Sequence, residues 1–280
     1  MARQAEPPWL HAEVARRMAR RLAIVKLKPT FVLDWWGYTG AGGRLLDDAY
    51  PKARRMVIEP NEALLQRSRT EVRQPPWSPR RWAGRAVEVS RTAPAPGSAQ
   101  LLWANMVLQA VQDPPALLAQ WQQALAVDGF VMFSTLGPDT LRELRALYRR
   151  LGWPPPGVPF VDMHDLGDML VSAGFADPVM DQEPLALTWD SPQALLAELR
   201  SLGGNASPER FAGLRTPRWR ERLCRELQSL AGADGRLRLS FEIVYGHAFK
   251  AGPRPRLAAE TAVSLQDMRA MVRGAKPPRG

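Results

Sequence analysis

Phe31-Val-Leu-Asp34-Trp-Trp36-Gly-Tyr38-Thr-Gly40 is the stretch on which the reading of this chain turns. An apolar strand ends in Asp34, and a Gly/Thr turn follows before a helical segment. Strand-to-helix turns of this kind seat nucleotide-type ligands, because glycines let the backbone come close to the ligand. Gly37, Gly40, Gly42 and Gly43 supply that freedom. Trp36 and Tyr38 stand where small residues are expected. The turn alone leaves two readings open. One is a cofactor pocket that is retained but remodelled; the other is a strand-helix turn whose aromatics fill the hole.

Working outward, Leu10, Val14, Met18, Leu22 and Val25 recur at helical spacing over residues 9–26, with arginines on the opposite side. Pro29 separates this amphipathic helix from the strand at 31–35. A helix at 44–49, a strand at 55–59 and a helix at 61–69 follow. A proline-rich connection surrounds a short strand at 86–89. Next come a strand at 101–104, a helix at 113–126 with Asp113 as cap and Pro114 at its first position, and a strand at 129–135. A helix is expected at 138–151. This alternation argues for a parallel sheet with helices on both faces. Ligands of such sheets bind outside the carboxyl ends of the strands, near the reversal of strand order. Asp34, Glu59, Asn105 and Ser134 fall at such ends.

The second half is less regular. Helices are expected at 162–173, 191–202 and 218–230, and strands at 178–189 and 236–249. The domain reading is an N-terminal amphipathic helix in 1–28 and a main domain over 29–250, with helical cover elements from about 152–230. A basic, flexible tail occupies 251–280.

The chain has 280 residues, 45% apolar and 24% charged, as in an ordinary soluble globular protein. No apolar run approaches the ~20 residues of a membrane span. The first residues lack the apolar core of a signal peptide, so a cytoplasmic protein is expected. The net charge is +10. Half of it lies in 250–280, where seven Lys/Arg face two acids. Such a tail reads as a solvated extension, and neither nucleic acid nor membrane is an expected partner. Cys224 is the only cysteine, so an internal disulfide and a cysteine-based zinc cluster are excluded. It is expected to be a buried, inert thiol. His11, His164 and His247 lie too far apart for a metal-ligand spacing, and no metal is assigned.

Several segments resemble one family. Asn105-Met-Val-Leu-Gln-Ala-Val-Gln-Asp-Pro, Phe133-Ser-Thr-Leu-Gly-Pro-Asp-Thr-Leu-Arg-Glu-Leu-Arg145, Phe160-Val-Asp-Met-His-Asp-Leu and Phe241-Glu-Ile-Val-Tyr-Gly-His-Ala are similar to the malonyl-carrier-protein O-methyltransferases of biotin synthesis. The likeness covers roughly residues 9–250. It implies the class I S-adenosylmethionine methyltransferase fold: an α/β, doubly wound, Rossmann-like sheet of seven mostly parallel strands with the last antiparallel, under a small helical cover. It implies S-adenosyl-L-methionine as cofactor and methyl transfer to the free carboxylate of a malonyl thioester on acyl carrier protein. A monomer is expected. Carried over by position, Asp34, Gly37 and Gly40 would line the methionine end of the cofactor. Glu59 would hold the ribose hydroxyls, Glu88 would face the adenine, and Asn105 would lie beside the reacting centre. No catalytic residue is assigned, since a carboxylate is already a nucleophile.

The family turn reads Asp-Leu-Gly-Cys-Gly-Thr-Gly, and here Trp36 and Tyr38 replace two of its glycines. The alternative reading is therefore a catalytically inactive relative that acts as a binding partner in the same pathway. Asp113-Pro-Pro resembles the Asp-Pro-Pro-aromatic motif of amino-group methyltransferases, but Ala116 lacks the aromatic ring, and a helix cap explains the triplet.

Overall fold

The computed structural model describes residues 6–73, 87–203, 205, 207–252 and 268–269. The proline-rich segment 74–86 and most of the basic tail lie outside the described residues, as does the expectation that the tail is flexible. Among the described residues, no helix is long and apolar enough to cross a membrane.

The elements are α1 (Trp9–Arg21), β1 (Phe31–Trp35), α2 (Gly37–Gly40), α3 (Gly43–Ala49), β2 (Arg54–Ile58), α4 (Glu62–Glu71), β3 (Glu88–Ser90), β4 (Ala99–Asn105), α5 (Pro114–Ala124) and β5 (Leu125–Leu136). Then follow α6 (Arg142–Arg150), α7 (Met163–Ser172), β6 (Phe175–Trp189), α8 (Pro192–Ser201), α9 (Pro217–Gln228) and β7 (Leu237–Lys250). The strands form one sheet in the order β3-β2-β1-β4-β5-β7-β6. β7 runs antiparallel to both its neighbours, and the other described pairs are parallel. The doubly wound, seven-stranded expectation is met.

Local chemistry explains most boundaries. Asn61, Asp113, Asp162, Ser191 and Thr216 each accept a backbone N–H in the first turn of the helix they precede. Asp113 is thus a helix cap, as its sequence context suggested. Two expectations need correction. The first helix gives way at Leu22 to a 3-10 turn, short of residue 26. The helix expected from 138 begins at Arg142, because Leu141 takes φ 57° and Thr140 bonds to β7. β6 is also longer than expected, and it forms a hairpin-like ladder with β7 from Phe175–Lys250 to Trp189–Leu237.

The sheet separates two apolar clusters. One holds Leu33, Trp35, Trp121, Phe133 and Val131, and the other holds Leu10, Met18, Trp103, Phe130 and Tyr245. α1 lays Leu10, Val14 and Met18 on the second cluster. Ile243 on β7 pairs with Leu136, the last residue of β5. Residues 237–242 therefore project past the carboxyl edge of the parallel strands by roughly 20 Å at ~3.3 Å per residue. Trp189, Leu195, Leu223 and Leu227 pack on this projection to form the cover.

Candidate active site

Strand order reverses between β1 and β4, so the crevice of an open α/β sheet lies at the carboxyl ends of these two strands. Asp34 and Asn105 stand there, and Glu59 follows the adjacent β2. Asp34 accepts a hydrogen bond from Arg55 Nη1 (3.1 Å), and Arg55 also binds Asp47. Burial raises the Asp34 pKa to about 6 in spite of that guanidinium. Gly37 must lack a side chain, because a Cβ would lie 2.7 Å from Asp34 Oδ2 and 2.9 Å from Val57 Cγ1.

The turn keeps the backbone course that glycine would favour. Trp36 has φ 55°, a left-handed conformation costly for a bulky residue. Its N–H donates to Ile58 O (2.7 Å), and its half-buried ring packs against the Trp121 cluster. The Tyr38 N–H donates to Glu59 Oε1 (2.8 Å), and Ser68 Oγ donates to the same oxygen (2.7 Å). Burial raises the Glu59 pKa to about 7, opposed by these two bonds.

Asn105 is satisfied on every side. Its Nδ2 donates to His11 O (2.8 Å) and Gly40 O (2.7 Å), and its Oδ1 accepts from Ser134 Oγ (2.7 Å). Since Thr39 O can only accept, the His11 contact to it (2.8 Å) places a proton on Nδ1. Burial lowers the His11 pKa to about 4, so the ring is neutral at physiological pH.

Asp34, Glu59 and Asn105 are each 1% exposed. The hydrogen-bonding edges that a ribose diol and a methionine chain would use are taken up by Tyr38 N–H, Ser68, His11 O and Gly40 O. Asp34 Oδ1 and Glu59 Oε2 are buried without a partner. A cavity of about 470 Å³ lies beside Tyr38, between Pro7 and Gln66, Arg67, Thr70 and Glu71, and includes none of the three. The crevice is closed in this arrangement, and the two unpartnered carboxylate oxygens are the acceptors it would offer the nucleoside and amino-acid ends of S-adenosylmethionine.

The structure brings Asp34, Gly37, Gly40, Glu59 and Asn105 together. Glu88 is exposed on the edge strand, opposite Met56, and makes no bond to the others. His11, Ser68 and Ser134 complete the network. Ser134 stood at a strand end in the sequence. His11 could have been found from its place seven residues before Met18, on the apolar stripe of α1. Ser68 gave no signal. Cys224 is half-buried rather than buried, because its stretch of α9 borders a cavity. Among the described residues, no group of three His, Cys, Asp or Glu is placed to hold a metal.

The family described as "Methyltransferase domain" matches residues 10–177. The malonyl-[acyl-carrier protein] O-methyltransferase of Laribacter hongkongensis is 39% identical over 253 residues, covering 88% of this chain and 84% of that protein. The chain belongs to this family. The namesake protein of Gallionella capsiferriformans is 38% identical over 251 residues, covering 88% of this chain and 85% of its own length. Among solved structures, the YcgJ protein of Bacillus subtilis superposes with a TM-score of 0.56 over 85% of this chain and 99% of its own. At 9% identity that likeness concerns the fold alone. Membership makes the chain one of a methyltransferase enzyme family.

Proposed function

We propose that this chain methylates the free carboxylate of a malonyl thioester on acyl carrier protein, an early step in making the pimeloyl chain of biotin, with S-adenosylmethionine as donor. The reading rests on one observation: 39% identity to a relative of that name across 88% of the chain. The chemistry asks little of the protein in proton transfer, because a carboxylate needs no general base. It asks for alignment and for the exclusion of water. The crevice around Asp34, Gly37, Gly40, Glu59 and Asn105 is the proposed place of the cofactor. Because that crevice is closed, the turn at 36–40 must move before the donor can bind. Glu88 is kept as a proposed adenine neighbour on position in the chain alone.

Two measurements test the proposal together. Calorimetric titration with S-adenosylhomocysteine reads binding, and a methyl-transfer assay with malonyl-acyl carrier protein reads turnover. Rescue of a biotin-requiring strain that lacks this methyltransferase is the expected cellular result. A folded protein that neither binds the nucleoside nor rescues growth would leave an inactive, partner-binding family member.

A further inference from the structure

A cavity lies away from the crevice, beside α9. It measures about 670 Å³ and is bordered by Arg215, Arg220, Arg225, Glu221, Cys224 and Gln193. Among the described residues, none of the three arginines pairs with a carboxylate. Arg215 is held in place instead, with its guanidinium 3.9 Å from the Phe211 ring centre and 4.5 Å from that of Trp219. Stacking of this kind leaves the N–H edge of the guanidinium free for an anion. The platform beneath is aromatic and packed: Trp219 packs on Trp153 at 5.1 Å and on Tyr148 at 6.5 Å, and Leu223 and Leu227 are buried. α9 carries four arginines against two glutamates, and Glu226 is already bound to Arg150.

We propose that this arginine-lined face of α9 and the segment leading into it is the docking surface for the acidic surface of an acyl carrier protein. The inference rests on the proposed function for the identity of the partner, and on charge and position for the place. Uncompensated guanidinium groups fit an anionic macromolecule, and they speed and orient its approach. The cover that bears them stands on the projection of β6 and β7 beyond the carboxyl edge of the sheet, the edge that holds Asp34 and Asn105. A carrier seated on the cover is thus on the side of the sheet from which an acyl group enters the crevice. The solvated arginines of α6 are not needed for this assignment. Arg142 faces its own acids, Asp139 and Glu143, and Arg150 faces Glu226.

The experiment is fluorescence anisotropy with dye-labelled malonyl-acyl carrier protein at low and moderate salt. Arg220→Glu combined with Arg225→Glu should raise the dissociation constant about tenfold and flatten its salt dependence, with an unchanged melting temperature. The α6 pair Arg142→Glu with Arg149→Glu should change binding less than twofold. Unchanged binding in the α9 variant, a larger loss in the α6 variant, or no binding by the unaltered protein would each overturn the proposal. So would displacement of the carrier by an equal concentration of duplex DNA. Methyl transfer to malonyl-pantetheine, which lacks the carrier, reads the enzymatic function separately. Failure of docking and failure of methyl transfer are therefore told apart.

Discussion

Glu59 carries the plainest energetic consequence of the closed crevice. Its pKa is raised from the ordinary 4.5 to about 7, chiefly by burial. The folded protein therefore holds this proton over a range in which the unfolded chain releases it. The stabilisation is complete below pH 4.5 and is lost as pH rises through 7. Glu59→Gln should gain stability relative to the parent between pH 5 and pH 8, by roughly 2 kcal/mol, read by urea unfolding at several pH values. A constant difference across that range would refute the burial argument. His11 has the opposite sign: its pKa falls to about 4, so its share of stability is present above 6.5 and declines below it. Asn105→Ala would leave the Ser134 hydroxyl proton without its acceptor and remove the amide's bonds to the His11 and Gly40 carbonyls, and should cost about 2–4 kcal/mol in chemical denaturation. A loss below 1 kcal/mol would show that water replaces the amide.

At the scale of elements, α1 and the turn after β1 close the crevice together. α1 is fixed to the turn through His11 and to β6 through Arg17–Glu183 and Arg21–Asp181, with Arg21 also stacked on Tyr245. The ion pairs are partly exposed, so global stability should fall by less than ~1 kcal/mol in Arg17→Ala with Arg21→Ala. Hydrogen exchange in α1 should nevertheless accelerate, because local opening draws on just these contacts. Exchange unchanged in α1 would mean that its apolar face alone holds it. Trp36→Gly with Tyr38→Gly removes both the strained left-handed tryptophan and the bulk at the turn. S-adenosylhomocysteine should bind this variant more tightly than the parent by about tenfold, since the side-chain bulk that fills the turn no longer has to be displaced before the ligand enters. Equal affinity would place the barrier elsewhere, with α1 as the next element to loosen.

For the whole molecule, the joint between the parallel half and the β6–β7 pair is decisive. Gly246 faces Phe133 and Met180 there, and a Cβ would sit 2.4 Å from the Phe133 ring. Gly246→Ala should cost about 1–3 kcal/mol by overpacking, visible as a lowered melting temperature. An unchanged melting temperature would show that Phe133 has room to turn. This joint carries the cover, and so governs where α9 stands relative to the crevice.

Much of this was legible in the chain. The apolar runs before Asp34 and Ser134 read as strands because they lack polar residues, and Asp113 reads as a cap because its side chain competes for free N–H groups. Local periodicity and capping act over a few residues, so sequence alone determined the order of elements, the parallel sheet and the family likeness. It could not decide between an open and a filled crevice. That depended on contacts 28 to 94 residues apart, His11 with Thr39 and Asn105 with His11, which exist only once α1 packs over β4. The closed state of the crevice, the neutral histidine and the position of the arginine-lined cover follow from burial, and burial belongs to the folded molecule.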